Sequence, residues 1–358
     1  MSRPAADLLR VLAIVAVMII HATGAGERGF LARHEFAYND FLAVLLNQLA
    51  RFSVPIFVML SGYGLARKYA SVDGMPFSFF RERAWKIALP YLFWSLAIFI
   101  ALGRGPGEIL AGLLRGTADY HFYFFVIILQ CYVLFPLLFA AAQTGLRRPL
   151  GVVLLLAHLL LTQPAQYLFF QLGLPTPHWH NSLFVFWIFY FYAGMLWARR
   201  ETTSSSVRKP GPVLRALIGA AALVAFAAMT CEYVYRSYVN PVPDYYNHFN
   251  RHTVLVYALC VWALFYVFDG RIRAWLERYP RLARAITLGA GLSFFVYIFH
   301  TWILRGLEQT FLGQEVVLLT VSLTAIAFGL ARLMHGVLPE GGIVWGTART
   351  ILGLPPKR

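Results

Sequence analysis

The sequence predicts an all-α protein: a polytopic transmembrane bundle of about ten spans with both termini in the cytoplasm. Three observations predict it. Apolar residues make up 59% of the 358 and charged residues only 13%, about half the roughly 25% typical of soluble domains. The apolar residues gather in segments of about 20, the length a helix needs to cross about 30 Å of hydrocarbon with its backbone groups paired internally. Lys and Arg then alternate between the connections, rich on one side and poor on the other.

The expected spans are residues 7–26, 41–66, 85–103, 121–143, 149–172, 182–199, 213–235, 252–268, 286–305 and 315–338. The fifth contains Pro164 and is expected to divide into a shorter helix and an interfacial piece. The short amphipathic run around Ile109 to Leu114 is expected to lie on the membrane surface. No stretch is polar enough for a separate soluble domain, so residues 1–358 read as one membrane domain. Of the 31 Lys and Arg, about 22 fall on the side that holds both ends and about 7 on the other, which places both ends in the cytoplasm. The net charge of +15 then belongs to loops facing anionic lipid, not to a nucleic-acid surface. No cleavable signal follows the first apolar run. Cys131, Cys231 and Cys260 read as small buried hydrophobes in apolar segments.

A charge inside the bilayer is costly, so an intramembrane Arg or His is a functional candidate by default. Asp7, Arg10 and His21 share one stripe of the first span. Arg10 and His21 differ by eleven residues, about three full turns, which sets His21 about 16 Å nearer the outer face. The second span contains R-F-S-V-P-I-F-V-M-L-S-G-Y, from Arg51 to Tyr63. Arg51 is expected in the outer half, near the level of His21, and Ser61 near the level of Arg10. Pro55 is expected to kink this helix, and Gly62 to permit close helix approach. The second connection carries Arg67, Lys68, Arg81, Arg83 and Lys86, read either as positive-inside bias or as a phosphate cradle. His121 stands among interfacial aromatics at the start of the fourth span. Tyr297 and His300 share a face of the ninth. Such groups imply a polar path through the bundle.

Two further stretches carry candidate groups. The outer connection from Asp244 to His252 combines aromatics with hydrogen-bonding side chains, which suits a sugar and suits a plain interfacial loop equally. His178, Trp179 and His180, with His248 and His252, invite a metal reading. H-x-H is a poor signal and no carboxylate completes it, so no metal is expected.

At these residues the chain resembles the acyltransferase-3 family, multispan enzymes that O-acylate cell-surface glycans, and in particular its short members. D-L-L-R-V-L-A-I-V-A-V-M-I-I-H, from Asp7 to His21, looks like the family's opening helix. The run from Arg51 to Tyr63 matches R-x-S-V-P-x-F-x-x-x-S-G-Y. Tyr120–His121, Pro136, F-Y-F-Y-A-G-M around Gly194, and S-F-F-V-Y-I-F-H ending at His300 follow in the family's order. One motif departs from it: the family's R-x-x-R before I-x-x-P-Y is Arg83 and Lys86 here, and Lys keeps the charge but loses the bidentate fork.

The resemblance implies acyl-coenzyme A, acetyl by default, as donor substrate from the cytoplasm, no permanently bound cofactor, and a glycan or lipid-linked saccharide as acceptor. It implies a multi-pass protein of a bacterial inner membrane. Acyl transfer needs a base for the acceptor hydroxyl and a cation or donor for the oxyanion. His21 is assigned the base, or an acyl carrier. Asp7 and Arg10 would position the thioester. Arg51, Ser61, His121, Tyr297 and His300 would contact the acceptor, and Arg81, Arg83 and Lys86 the coenzyme's phosphates. Two rival classes remain: a transporter or flippase, whose broken helices and repeats are not evident here, and a non-catalytic scaffold of polysaccharide assembly, which would tolerate loss of His21.

Overall fold

The structure is a computed structural model that describes residues 1–33, 38–72, 76–173, 182–203, 211–239 and 249–357. Every regular element among them is helical. In chain order they are α1 (Arg3–Arg33), α2 (Tyr38–Leu49), α3 (Ser53–Lys68), α4 (Phe77–Arg83), α5 (Leu89–Ala101), α6 (Pro106–Arg115), α7 (Tyr123–Gln143) and α8 (Arg147–Leu161). There follow α9 (Gln163–Gln171), α10 (Ile188–Thr203), α11 (Pro212–Val239), α12 (His252–Val267), α13 (Asp269–Arg278), α14 (Pro280–Glu308), α15 (Val316–Val337) and α16 (Gly342–Ile351).

All ten expected segments are helical. Among the described residues, seven stretches are long and apolar enough to cross a membrane, and α12 with α13, bent by 58° at Phe268, makes an eighth if the pair is one span. The chain is therefore a multi-pass membrane protein. The two remaining segments are shorter. Helix α8 has 15 residues and α10 has 16, below the about 20 of a straight crossing. Helix α8 stops because Thr162 leaves helical geometry, its hydroxyl donating to His158 O at 2.5 Å. Pro164 follows, so the fifth segment does divide in two, with α9 as its second piece.

Prolines and glycines account for the other irregularities. Pro55 cannot donate a backbone hydrogen bond four residues back to Arg51. The chain tightens there into a 3-10 turn, Ala50–Phe52, between α2 and α3. Pro90 likewise follows a π-helical turn, Ala84–Ala88, a feature that recurs at functional sites. Gly116 ends α6 with φ 72°, a left-handed conformation that costs glycine nothing.

The helices fall into two compact units. The first holds residues 1–57, 208–341 and 354–358. At its centre α1 packs against α2, α14 and α15, and α11 packs on α12. Much of α11 is exposed and apolar, including Leu217, Leu223 and Val224, as a lipid-facing helix should be. Cys231 is exposed on this helix, which corrects its expected burial; Cys131 is buried.

The second unit holds residues 58–207 and 342–353. Its α16 is tied to α5 by Trp94 Nε1, which donates to Ile351 O at 2.9 Å. Its tightest crossing is between α3 and α10. A Cβ at Gly62 would lie 2.0 Å from Phe191 O, and one at Gly194 would lie 2.1 Å from Met59 O. Each glycine seats the other helix's backbone, the small-residue contact by which helices associate where lipid removes the hydrophobic drive. S-G-Y and F-Y-F-Y-A-G-M are thus two halves of one contact.

Gly62→Ala and Gly194→Ala force backbone apart, an overpacking cost of about 1–3 kcal/mol or more each. Both variants should lower the detergent-solubilised unfolding temperature by several degrees. Gly64→Ala, which meets nothing within 4 Å, should match wild type in the same fluorescence melt.

Candidate functional site

In the first unit, α1 carries Asp7, Arg10 and His21 on one unbroken helix. Asp7 meets Arg3, whose Nε lies 3.9 Å from its carboxylate. Arg3 lies one helical turn before the acid, a spacing at which side chains meet on a helix. Arg10 and His21 are both half-buried.

His21 meets His300 of α14, with ring centroids 5.1 Å apart and planes tilted by 35°. His300 is fully buried. Its Nδ1 lies 2.8 Å from Tyr297 O and 3.1 Å from Val296 O. Carbonyls only accept, so Nδ1 carries the proton and Nε2 is the basic nitrogen of the neutral ring. Tyr297 also stacks near His300, 6.0 Å between centroids.

Arg51 stands in the 3-10 turn, 4% exposed. A buried guanidinium must be hydrogen-bonded. It donates to Asn47 Oδ1 at 2.5 Å and lies over the Phe249 ring at 5.1 Å. Asn47 is itself buried. Its Nδ2 donates to Thr23 Oγ1 at 2.9 Å and to Ile20 O at 3.2 Å. One amide therefore spans from Arg51 to Ile20 and Thr23 of α1, one residue before and two after His21. Asn47 was not read from the sequence as a site residue. Its signal was a polar side chain four residues before Arg51 inside an apolar run.

A second buried cation was also missed. Arg251, 2% exposed, precedes α12. It donates to Gln48 Oε1 at 2.6 Å and Met229 O at 3.1 Å, with Glu232 at 3.9 Å. It fastens α2 and α11 to the start of α12. The stretch Asp244 to His252 lies outside the described residues as far as His248, and so do His178, Trp179 and His180. Among the described residues, no group of three or more His, Cys, Asp or Glu is arranged to hold a metal.

In the second unit, His121 is in the turn before α7, not in a span, and it is buried. Its Nδ1 lies 3.7 Å from Asp119 Oδ1, both side chains being 2% exposed. Asp119 accepts the Tyr120 N–H at 2.8 Å, which orients the carboxylate. Asp119 was missed because acid and imidazole are brought together by a turn, which spacing in an apolar sequence does not reveal. Ser61 is half-buried on α3.

The basic connection is organised by an acid. Glu82 accepts from Lys68 Nζ at 2.5 Å, Lys86 Nζ at 2.8 Å and Arg83 at 2.8 Å. Three cations share one carboxylate, so the cluster keeps a positive excess. The Arg83 guanidinium also lies over the Tyr132 ring at 5.7 Å. Arg81 is exposed. Nearby, Arg67 donates to Tyr63 Oη at 2.9 Å, and Tyr63 donates to Glu201 at 2.6 Å.

The first unit thus joins two imidazoles and supplies a fixed, buried cation through Asn47. That combination suits proton transfer beside a developing negative charge. A family model described as an acyltransferase domain matches residues 3–334, nearly the whole chain. No curated protein and no solved structure matches it.

Asn47→Ala removes the Asn47 Oδ1 acceptor from the Arg51 guanidinium and the bridge to α1. It should lower kcat/KM for acyl transfer about 10- to 100-fold, since a hydrogen bond to a charged group contributes about 1.5–3 kcal/mol. Insertion should persist, measured by membrane yield. Asn47→Asp, which keeps the acceptor, should lose less.

Proposed function

The chain belongs to the acyltransferase-3 family, and on that premise we propose that it is a membrane O-acyltransferase acting on a glycan. The donor is a cytoplasmic acyl-coenzyme A, acetyl by default. The acceptor is a hydroxyl of a cell-surface polysaccharide or lipid-linked saccharide. The membrane is the inner membrane of a bacterium, crossed about ten times, with both termini in the cytoplasm. The positive-inside charge distribution supports that orientation.

The observation that carries the reading is the contact of His21 with His300, in the same unit as the buried Arg51. The lone pair of His21 takes the proton of the acceptor hydroxyl as that oxygen attacks the thioester carbonyl. The C–O bond forms and negative charge moves to the carbonyl oxygen. Arg51, held by Asn47, offers donors to that oxyanion in a dry site, where they act more strongly than in water. Collapse breaks the C–S bond, and the thiolate of the coenzyme takes the proton from the imidazolium. In the alternative order His21 carries the acyl group first and the hydroxyl then displaces it. His300 accepts through Nε2 and supports the protonated state of its neighbour. Tyr297 contacts the acceptor.

Asp7 and Arg10 position the thioester end. Arg81, Arg83 and Lys86 meet the coenzyme's phosphates; Glu82 holds Arg83 and Lys86 in place until then. The replacement of a second Arg by Lys86 leaves a point charge where a fork would bind two oxygens.

His21→Ala should reduce transfer by about 100- to 10,000-fold, the range for loss of a general base, while the protein still inserts. Mass spectrometry of surface glycans from cells carrying wild type, the variant or no protein checks this. Acetylation at the wild-type level in the His21→Ala strain would remove the assigned role.

A further inference from the structure

We infer that the elbow between α13 and α14 is a headgroup site for an anionic phospholipid. Helix α13 departs from α12 by 58°, so it runs across the direction of the span and not along it. Beyond it Tyr279 breaks the helix, and Pro280 starts α14. Trp275, Arg278, Tyr279, Pro280, Arg281 and Leu282 line a groove of about 580 Å³ at this corner.

The chemistry of the groove is mixed in a specific way. Trp275, Tyr279 and Leu282 are 46%, 47% and 38% exposed, two aromatic rings and an aliphatic side chain open at the same corner. Trp and Tyr favour the membrane–water boundary, where one edge of the ring is apolar and the other wet. Between them stand Arg278, its guanidinium 6.0 Å from the Tyr279 ring centre, and Arg281. Guanidinium forks fit phosphate oxygens bidentately.

The charge around the groove is one-sided. Residues 271–284 contain five arginines, Arg271, Arg273, Arg278, Arg281 and Arg284, and a single acid, Glu277. Glu277 is taken by Arg273 at 3.5 Å. Asp269, at the start of α13, accepts from both the backbone N and the Oγ of Ser2 at 2.7 Å. Both carboxylates are therefore committed outside the groove, which keeps a net positive field. A zwitterionic headgroup brings its own cation and gains little there. An anionic one supplies the phosphate for the arginines and acyl chains for Trp275 and Leu282. A soluble phosphate would leave those apolar side chains in water. The site is independent of the acyl-transfer reading.

The test uses the full chain in nanodiscs of phosphatidylcholine with increasing phosphatidylglycerol. Lipid contact is read as quenching of Trp275 by brominated acyl chains, taken as the difference from Trp275→Phe. Phosphatidylglycerol should quench with a clear preference over phosphatidylcholine. Arg278→Gln with Arg281→Gln should weaken that preference roughly 30-fold. Arg115→Gln with Arg148→Gln, a charge-matched pair elsewhere on the exposed surface, should leave it unchanged. Both pairs are exposed, and an unaltered melting temperature confirms folding. Equal quenching by the two lipids would overturn the site. So would equal loss in both double variants, which would mean general charge attraction. Competition by millimolar inorganic phosphate as effective as by lipid would overturn it in favour of a soluble anion.

Discussion

A buried positive charge constrains everything around it. Arg51 is 4% exposed in a unit otherwise packed from apolar helices. Leaving a guanidinium there without partners would cost several kcal/mol. The fold meets that cost through Asn47, whose carbonyl oxygen takes the guanidinium and whose amide group grips α1 at Ile20 and Thr23. The 3-10 turn imposed before Pro55 sets Arg51 one turn from Asn47, so the backbone irregularity and the charge are one feature. Because the grip lies on either side of His21, the height of the histidine in the bundle and the place of the cation are set together.

The same economy recurs elsewhere. Arg251 is satisfied by Gln48, the residue next to Asn47, and by a carbonyl of α11. Consecutive amides on α2 thus hold two buried arginines on different faces. The second unit uses backbone proximity instead, through Gly62 and Gly194. At its basic connection a single carboxylate, Glu82, gathers three cations. The buried devices settle a charge or a backbone where a dry interior provides no water to do so, while the Glu82 cluster acts at an exposed surface.

Much of this was legible in the sequence. Apolar segments of about 20 residues located the helices because the bilayer demands that length. Pro164 marked the division of the fifth segment, and Gly62 marked a close crossing. His21, Arg51 and His300 were visible as candidates because charge and imidazole are costly in such runs. The partners were not visible. Asn47, Glu82 and Asp119 are ordinary polar residues whose meaning comes from the neighbours that folding brings to them. The contact of Arg3 with Asp7, one turn apart on α1, was likewise not read from the sequence. The bend after Phe268 and the arginine-lined elbow likewise depend on a change of direction that hydropathy does not record.

The central claim is that this bundle transfers an acyl group rather than moving or scaffolding a glycan. Purified wild-type protein in liposomes, given acetyl-labelled acetyl-coenzyme A on one side and glycan extract, tests it most directly. The account predicts time-dependent label in the glycan with stoichiometric release of free coenzyme thiol. Movement of glycan across the bilayer with no label in it, or neither movement nor label, would contradict it.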